Sequence, residues 1–402
     1  MTGHGPRPPG VSDGADFPPP VGYSAPQYPA PVFPGQIVPP ISPPAAPPPP
    51  HQRRSRVPLL VGAVLATLFL VVGLVIGTRD DSGPSAEQAS VAATSASVTQ
   101  SSAARTPRSA FLPVGSSPWG VAVDPILGVA LVSNADDDTV TIFDTALQTV
   151  VATIPAANKP AAIAIDPATH SGYVTCAEDD VVMVIDLSSR SVMRTIPVGD
   201  APYGVAVDSS AGKAYTTNFE SDTLSVIDLA SAAVTATVRV GDHPYGVAVD
   251  RSSGHVMVVN AGDDSMSVVD PTARQVVMTI AVGDEPWGVA VDSKGTAYVA
   301  NHAQDSVSVV DLAVGSTSAT IAVQSGPVGV AVDDATSTVY VTNHGTNTVS
   351  VLDASAHSVV STIPVGANPH GAAYDPVAHT AYFTNFTEHT MTAIVDIDAW
   401  AR

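Results

Sequence analysis

The sequence predicts an all-β fold assembled from seven copies of one unit, and three observations support this prediction. A short phrase recurs seven times: proline, one variable residue, usually glycine, and a small apolar run that ends in aspartate. The copies are 42 residues apart, with one interval of 41. The intervening segments are short and rich in Val, Ile, Thr and Tyr, which suits strands, and lack any amphipathic helical stretch. The copies are Pro118–Asp124, Pro160–Asp166, Pro202–Asp208, Pro244–Asp250, Pro286–Asp292, Pro327–Asp333 and Pro369–Asp375.

Each unit contains four candidate strands, separated by clusters of Ser, Gly, Asp and Asn that favour turns. In the third unit these strands are predicted at Gly204–Asp208, Ala214–Thr217, Thr223–Asp228 and Val234–Val240. A period near 40 to 45 residues with four strands per unit is typical of a β-propeller, in which each unit forms one blade. The 41-residue interval arises in a turn, where Asp292–Gly295 is one residue shorter than Asp250–Gly254, and turns tolerate such deletions.

The two ends of the repeat array complement each other. The last unit contains three strands, the third around Met391–Val395, and no fourth strand follows before residue 402. Ala110–Gly115, upstream of the first unit, aligns with Thr195–Gly199, which ends the fourth strand of an internal unit. Closing the ring requires paired edges. The sequence therefore predicts, over residues 109–402, a seven-bladed β-propeller of four-stranded antiparallel blades whose last blade is completed by an N-terminal strand.

A tetrapeptide in the second strand of the units is characteristic of a known family. Tyr340–Asn343 reads Tyr-Val-Thr-Asn, and Tyr382–Asn385, Tyr298–Asn301 and Tyr215–Asn218 are close variants, whereas Tyr173–Cys176 departs at its last residue. Over residues 110–396 the chain resembles the YVTN-repeat, YncE-like family of seven-bladed propellers. That resemblance implies the seven-bladed fold and a surface or periplasmic binding protein, although distant propellers include lactonases and redox enzymes.

A membrane anchor is predicted upstream of the propeller. Residues 57–78 are uncharged and predominantly apolar, which is long enough to form a transmembrane helix. Arg53, Arg54 and Arg56 precede this run, and Asp80 and Asp81 follow it. The positive-inside rule then places the N-terminus in the cytoplasm and the propeller outside, as a single-pass protein of the cell membrane. A cleaved signal peptide is the alternative.

The segments on either side of this run have biased compositions. The first 50 residues contain 18 prolines, which predicts that residues 1–56 form a disordered cytoplasmic tail. Such a tail is either a solvated segment or a ligand for domains that recognise Pro-rich sequences. Residues 79–108, rich in Ser, Ala and Thr, are predicted to be a flexible stalk.

Charge and cysteine content exclude some partners and chemistry. The formal net charge is −21, and because residues before 57 hold four arginines and two aspartates, the remainder carries −23. This charge disfavours nucleic acid and acidic lipid as partners. Cys176 is the only cysteine and replaces the repeated asparagine, so it is predicted to be a small buried substitute that forms no intrachain disulfide.

A candidate ligand site follows from the variable residue between the proline and the glycine. Antiparallel strands place this residue, and the loop between strands two and three, at the same end of the propeller. Carboxylates precede it in units three to five, at Asp200, Asp242, Asp284 and Glu285. Aromatic rings with carboxylates suit a cationic or carbohydrate-like ligand, whereas the alternative is that the rings pack between blades. The variable residues are Trp119, Ala161, Tyr203, Tyr245, Trp287, Val328 and His370.

Other polar positions of the repeat suggest metal binding or turn formation. His302 and His344 follow the repeated asparagine and, with His370, form a candidate transition-metal set; solvated loop histidines are the alternative. No resident metal, cofactor or catalytic residue is predicted. Asp138 and its equivalents before strand three, and Asp144 and its equivalents at the end of strand three, are interpreted as caps of their own turns. A calcium site is the alternative, but no complete oxygen-ligand loop is present.

The leading functional hypothesis is a monomeric, membrane-anchored propeller that binds a protein, peptide or glycan through its channel face and performs no chemistry. The sequence lacks the Gly-x-Ser-x-Gly, His-Glu-x-x-His and Cys-x-x-Cys-His motifs of several enzyme classes. Two alternatives remain open. One is a lactonase-like or metal-assisted hydrolase or lyase that uses His302, His344 and His370, and the other is a structural element of the cell envelope.

Overall fold

The computed structural model describes residues 108–397, and these residues form a β-propeller. The predicted tail (1–56), transmembrane helix (57–78) and all but the last residue of the stalk (79–108) lie outside the described residues. Within residues 108–397, no helix has the length and apolar character needed to cross a membrane.

The described residues form 28 strands and one short 3₁₀ helix, η1, at His302–Gln304. The closing strand and blades one to three are β1 (Arg108–Pro113), β2 (Pro118–Asp124), β3 (Val129–Asn134), β4 (Thr139–Asp144), β5 (Thr149–Pro155), β6 (Pro160–Asp166), β7 (Ser171–Cys176), β8 (Val181–Asp186), β9 (Ser191–Pro197), β10 (Pro202–Asp208), β11 (Lys213–Asn218), β12 (Thr223–Asp228) and β13 (Ala233–Arg239). Blades four to seven are β14 (Pro244–Val249), β15 (Val256–Asn260), β16 (Ser265–Asp270), β17 (Gln275–Ala281), β18 (Pro286–Val291), β19 (Thr296–Asn301), β20 (Ser306–Asp311), β21 (Ser316–Ala322), β22 (Pro327–Asp333), β23 (Thr338–Asn343), β24 (Thr348–Asp353), β25 (Ser358–Pro364), β26 (Pro369–Asp375), β27 (Thr380–Asn385) and β28 (Thr390–Val395).

The predicted seven-bladed, four-stranded antiparallel architecture is confirmed, including the closing strand. The strands form seven sheets, six of consecutive strands and one in the order β1-β28-β27-β26. β1 pairs antiparallel with β28, with Leu112 opposite Met391. Residues from the two ends of the propeller therefore share blade seven, so that every blade has four strands.

The hydrophobic core lies between blades rather than within one of them. In each blade the first strand contacts the first strands of both neighbouring blades, so these seven strands surround the central channel. Seven buried clusters each combine side chains of two neighbouring blades, for example Leu131 and Ile142 of blade one with Val174 and Met183 of blade two. Alternation along a strand directs its side chains to both faces, so the internal strands, such as β3 and β7, are buried on both faces.

Two residues of the repeat fix the distance between neighbouring blades. A Cβ atom on Gly204 would lie 2.4 Å from the carbonyl oxygen of Tyr245 in the next blade, which only glycine permits. Thr217 of the Tyr-x-Thr-Asn segment donates its hydroxyl hydrogen to that same carbonyl, at 2.6 Å. The equivalent bond from Thr384 to the carbonyl of Trp119, at 2.7 Å, joins blade seven to blade one.

In blades one, three, four and five, the repeated asparagine bonds to the loop that enters the blade. Asn134 Oδ1 accepts a hydrogen bond from Gly115 N at 3.0 Å, and its Nδ2 donates to Thr139 Oγ1 and Thr141 Oγ1. A Cβ atom on Gly115 would lie 2.5 Å from the Asn134 side chain, so the glycine accompanies the asparagine. Blades three, four and five repeat this arrangement at Asn218, Asn260 and Asn301.

Blade two replaces this whole polar network by apolar side chains. Ala157, Cys176, Val181 and Met183 occupy the positions of the glycine, the asparagine and its two hydroxyl partners, and they belong to one hydrophobic cluster. Cys176 is fully buried, and burial raises the pKa of its thiol to about 12. The prediction of a small buried substitute is confirmed. The absence of a buried amide also explains why no unsatisfied polar group results from the substitution.

The interpretation of the aspartates before strand three as caps of their own turns is wrong. Asp138 Oδ1 accepts from the backbone N of Lys159 in the next blade at 2.9 Å. Four equivalent aspartates, Asn347 and His389 make the same contact with the residue 21 positions ahead or, for His389, with Ser117 across the ring closure. Neighbouring blades lie side by side at this end, which brings the two positions together. The turn-cap interpretation is confirmed for Asp144, which bonds the amides of Ala146 and Leu147.

Candidate functional site

The predicted site residues lie at one end of the propeller, which we call the channel mouth. It is the end at which strand one of each blade begins and strand two ends, because Pro118 is paired with Asn134 and the other blades repeat this register. The variable residue of each blade stands one position after this proline. At four of the seven junctions its backbone carbonyl accepts a hydrogen bond from a threonine of the preceding blade, as at Tyr203 and His370. This bond fixes the backbone from which the side chain extends beside the channel.

Four rings from blades three, four and five form a continuous stack. The centroids of Tyr203 and Tyr245 are 4.9 Å apart at an interplanar angle of 17°. Tyr245 and Trp287 are 5.0 Å apart at 21°, and Trp287 and His302 are 4.1 Å apart at 8°. Stacked rings at these separations attract one another beyond the area they bury. Each of these rings therefore packs on another ring at the channel mouth, from the neighbouring blade or, for Trp287 and His302, from the same blade.

Three further rings complete a circle around the channel mouth. His344 lies 6.4 Å from His302 and 4.8 Å from His370, measured between ring centroids. Trp119 lies 4.5 Å from His370 and 6.2 Å from Tyr203. We call this set of seven rings the aromatic circle. In blade six the variable residue is Val328, and His344 of that blade supplies the ring between His302 and His370. In blade two the variable residue is Ala161, so Trp119 of blade one is next to Tyr203 of blade three, at 6.2 Å.

The stacking decides which surface the rings offer to a ligand. Tyr245 lies between Tyr203 and Trp287, and Trp287 lies between Tyr245 and His302, so both faces of these two rings are covered. An aromatic ring is electron-rich on its faces and electropositive at its edge. Tyr245 and Trp287 line the cavity with their faces covered, so their edges are what a ligand can meet and cation–π contact with their faces is not available. The circle suits a ligand with hydrogen-bond acceptors.

The three histidines of the circle are kept neutral by burial. Burial, and then the neighbouring His302, lower the pKa of His344 to about 4. Burial, His344 and His302 lower the pKa of His370 well below 6.5. Burial also lowers the pKa of His302, although the Glu285 carboxylate, 3.7 Å from Nδ1, opposes this shift. Close packing of three imidazoles therefore opposes the addition of a proton to any of them.

Hydrogen bonds determine the tautomer of His344. Thr387 donates to Asn368 Oδ1 at 2.5 Å, so the amide nitrogen of Asn368 faces the other way. That nitrogen lies 3.0 Å from His344 Nε2, which must accept the hydrogen bond. In neutral imidazole one nitrogen accepts and the other carries the proton. The proton of His344 is therefore on Nδ1.

His370 lines the central cavity, and no described residue around it offers its imidazole a hydrogen bond. It is 1% exposed, and neither ring nitrogen has a hydrogen-bond partner among the described residues. Together with Trp119, Tyr203, Tyr245 and Trp287 it lines a central cavity of about 210 Å³. Buried polar groups in folded proteins are almost always hydrogen-bonded. His370 thus points to a polar group that enters this cavity.

Comparison with known proteins supports the family that the sequence resembles. A family model described as YNCE-like beta-propeller matches residues 198–379, from the end of blade two into blade seven. With the seven-bladed architecture, this match supports the YNCE-like β-propeller family. Hydrazine synthase of Kuenenia stuttgartiensis is similar in structure, with a TM-score of 0.63 and 19% identity over 71% of this chain and 96% of that one. At this identity the similarity concerns the fold alone. The comparison with curated proteins found no match.

The carboxylates predicted to accompany the rings at the channel mouth are not equivalent in the structure. Asp200, Asp242 and Asp284 are exposed, and none of them lines the central cavity. Glu285 differs because its backbone is fixed at both ends: its N–H donates to Asp264 Oδ1 at 2.8 Å, and its carbonyl accepts from His302 N at 3.0 Å. Its side chain is 49% exposed and lies beside His302. The structure therefore brings Glu285, and not the aspartates, to the aromatic circle.

The structure brings His302, His344 and His370 together, but in a row. Ring centroids 6.4 and 4.8 Å apart follow the curve of the aromatic circle. Within residues 108–397, no group of three or more His, Cys, Asp or Glu side chains is placed to hold a metal ion.

Sequence reasoning missed two rings at the channel mouth, Phe219 and His243. They stack at a centroid distance of 4.6 Å, and Phe219 also contacts Tyr203 edge-on at 5.4 Å. Phe219 follows the repeated asparagine, as His302 does. Aligning that position over all seven blades gives Ala135, Ala177, Phe219, Ala261, His302, His344 and Phe386. Each blade has either an alanine or a ring at this position, and this pattern was the sequence signal that could have identified Phe219.

Proposed function

We propose that this propeller is a binding module that captures a protein, peptide or glycan at the channel mouth. The observation that carries the proposal is His370, a buried imidazole with no hydrogen-bond partner among the described residues, in the wall of the central cavity. Leaving a buried polar group unpaired costs about 1–3 kcal/mol. A ligand group that forms a hydrogen bond with His370 recovers this free energy, which favours binding at this position.

The aromatic circle supports a neutral, polar ligand group at this position. The edges of Tyr245 and Trp287 and the neutral imidazoles of His344 and His370 match hydroxyl and amide groups, which both donate and accept hydrogen bonds. Hydroxyls are abundant on glycans and amides on peptides.

Site-specific photocrosslinking in intact cells tests where the partner binds. With p-benzoylphenylalanine in place of Tyr203, at the channel mouth, we expect a covalent adduct with the partner. The matched position is Ile126, which is 70% exposed in the turn between β2 and β3 at the opposite end. We expect no adduct there, and at least a tenfold weaker adduct at position 203 after His370→Phe. Equal crosslinking from both ends would reject the proposal.

We also propose that the propeller is anchored in the cell membrane by residues 57–78, with the tail 1–56 in the cytoplasm. The uncharged run and the three arginines before it support this arrangement. Cysteine substitutions in the two flanking segments, Ser24→Cys and Ser82→Cys, test it with a maleimide that does not cross membranes. We expect labelling in intact cells at position 82 only, since the native Cys176 is buried. Labelling at position 24 in intact cells would contradict the proposed orientation.

A further inference from the structure

A second pocket at the channel mouth lies in blade four, where the ring that follows the repeated asparagine in other blades is missing. In blades three, five, six and seven a ring follows the repeated asparagine, whereas blade four has Ala261 there. Phe219 and His302 flank this gap on the neighbouring blades. Ala135 and Ala177, the other alanines at this position, are 2% and 8% exposed and therefore covered, but Ala261 is partly exposed. Only in blade four does the missing ring leave open space.

This space is a pocket of about 430 Å³ lined mainly by aromatic side chains. The variable residues on both sides of the gap, Tyr245 and Trp287, are rings, whereas Ala135 and Ala177 each have Ala161 on one side. Gly262 follows Ala261, and a Cβ atom there would lie 2.9 Å from His243 Nδ1, so the glycine leaves room for the His243 ring beside the pocket. The lining is Phe219, His243, Tyr245, Ala261, Gly262, Glu285 and Trp287.

The protein itself shows what fits such a position. Phe219, the equivalent side chain of blade three, contacts Tyr203 at 5.4 Å and 71° and Tyr245 at 6.1 Å and 85°. His302, the equivalent in blade five, lies flat on Trp287. In both blades a single planar ring rests against the variable ring of its own blade. By analogy, the pocket of blade four has room for a planar ring against Tyr245 and Trp287.

One charged group borders this pocket. Glu285 is in its lining, and neither Lys nor Arg is. The backbone of Glu285 is held by Asp264 and His302, so the carboxylate has a fixed attachment at the rim. A carboxylate at the edge of an aromatic pocket favours a ligand cation next to the bound ring.

From this geometry we propose that the pocket between Phe219 and Trp287 binds an arylalkylamine: one aromatic ring in the space above Ala261, with an ammonium group, joined to the ring by a short aliphatic chain, at Glu285. The same group occurs in small arylalkylamines and at the N-terminus of a peptide that begins with Phe, Tyr or Trp. The inference rests on the proposed function in that it names a ligand class for the same face, but it uses a pocket beside the central cavity.

Calorimetric titration of the full-length protein in detergent tests the ligand class. The probes are phenethylamine, 2-phenylethanol, which lacks the charge, propylamine, which lacks the ring, and Phe-Gly-Gly amide, which presents the group on a peptide. We expect binding of phenethylamine or of the peptide, at least tenfold weaker binding of 2-phenylethanol, and no measurable binding of propylamine. The tighter-binding of phenethylamine and the peptide shows whether the natural ligand is a small arylalkylamine or a peptide N-terminus. Failure of both to bind, or equal binding of 2-phenylethanol, would overturn the inference.

Two substitutions test the location. Ala261→Phe places in the pocket the ring that blade three already has at Phe219, and we expect it to weaken binding at least tenfold. Ala303→Phe, which adds the same ring at an exposed position in η1 outside the pocket lining, is the matched control and should leave the affinity unchanged. Glu285→Gln, at a half-exposed side chain, should reduce the preference for phenethylamine over 2-phenylethanol to less than threefold.

The outcomes separate this inference from the proposed function. If Ala261→Phe leaves amine binding intact while His370→Phe removes it, the amine binds in the central cavity and the pocket assignment is overturned. If Ala261→Phe removes amine binding but the crosslink from position 203 persists, both sites exist. If the crosslinks from positions 203 and 126 are equal, the proposed function fails whatever the amine does.

Discussion

A chain that begins at Val114 is expected to lose the cooperative unfolding transition of the full-length protein. Such a chain lacks β1, the fourth strand of blade seven, and with it Leu112, which is 8% exposed and packs with Met391 and Ala393. Deleting a single buried leucine side chain to alanine already costs about 2–5 kcal/mol. Removing the whole strand also leaves the backbone of β28 unpaired along a new open edge.

Loss of β1 also weakens the junction between the last and first blades. The N–H of Val114 donates to the carbonyl of His389 at 3.2 Å, and the N–H of Ser117 donates to His389 Nδ1 at 2.9 Å. These contacts depend on the chain that leads from β1 into β2. Without β1, the loop of residues 114–117 that leads into β2 is no longer fixed at its start. The hydrogen bond from Thr384 to the Trp119 carbonyl then remains between the last and first blades.

Thermal unfolding followed by circular dichroism is the measurement. A chain that begins at Thr106 keeps β1 and is the matched control, with a melting temperature expected within about 2 °C of the full-length protein. Leu112→Ala should lie between the two chains, since it removes core packing and keeps the strand. Cooperative melting of the Val114 chain at the temperature of the control would show that blade seven is stable with three strands.

The free energy of unfolding is expected to fall as the pH is lowered from about 7 towards 4. Burial lowers the pKa of His344 from 6.5 to about 4 and lowers that of His370 well below 6.5. Unfolded chains therefore take up protons at these histidines at a higher pH than the folded protein does. Each such histidine lowers stability by up to about 1.4 kcal/mol per pH unit within the window between its two pKa values.

The direction follows from the sign of the shifts. A histidine whose pKa is lowered in the folded state contributes no penalty above pH 6.5, and the penalty grows until the pH reaches the folded pKa, near 4 for His344. Carboxyl groups such as Asp136 and Asp166 have pKa values below the ordinary 3.8 in the folded protein. Their contribution to the free energy of unfolding is complete above pH 3.8 and is lost only as the pH falls below that value. The two sets of groups therefore act in different pH windows.

Urea unfolding at pH 7, 6, 5 and 4 measures this dependence. The double variant His344→Asn, His370→Phe is expected to flatten the curve between pH 6.5 and 4, because neither replacement titrates there. His357→Asn, at an exposed histidine in the turn between β24 and β25, is the matched control and should keep the slope of the native protein. A double variant that loses stability in parallel with the native protein would exclude these histidines as the cause.

The repeated phrase predicted the architecture so well because its shared residues have the same task in most blades. Gly204 is required because the Tyr245 carbonyl of the next blade approaches its Cα, and Thr217 bonds that same carbonyl. This close approach recurs around the ring, and six of the seven phrases keep the glycine, with Ala162 in blade two. Deviations are coupled for the same reason, as in blade two, where Ala157, Cys176 and their neighbours change together.

The aspartates show where such reasoning stopped. Asp138 and Asp144 look alike in the sequence, since both border strand three and both recur. Asp144 bonds the amides of its own turn, whereas Asp138 bonds Lys159 in the next blade. Contacts within two or three residues are readable from sequence spacing, but a contact over 21 residues depends on how blades are placed side by side.

The sequence by itself determined the number of blades, the four strands in each, the closing strand β1, and the position in each blade at which side chains face the channel mouth. Local strand propensity and a strict period are sufficient for these features. Only the tertiary structure decided that Tyr203, Tyr245, Trp287 and His302 cover one another's faces. It also decided that the ring nitrogens of His370 have no hydrogen-bond partner among the described residues, and that Ala261 borders a pocket. These outcomes depend on distances between blades, because whether a ring offers a ligand its face or its edge is decided by the neighbouring ring.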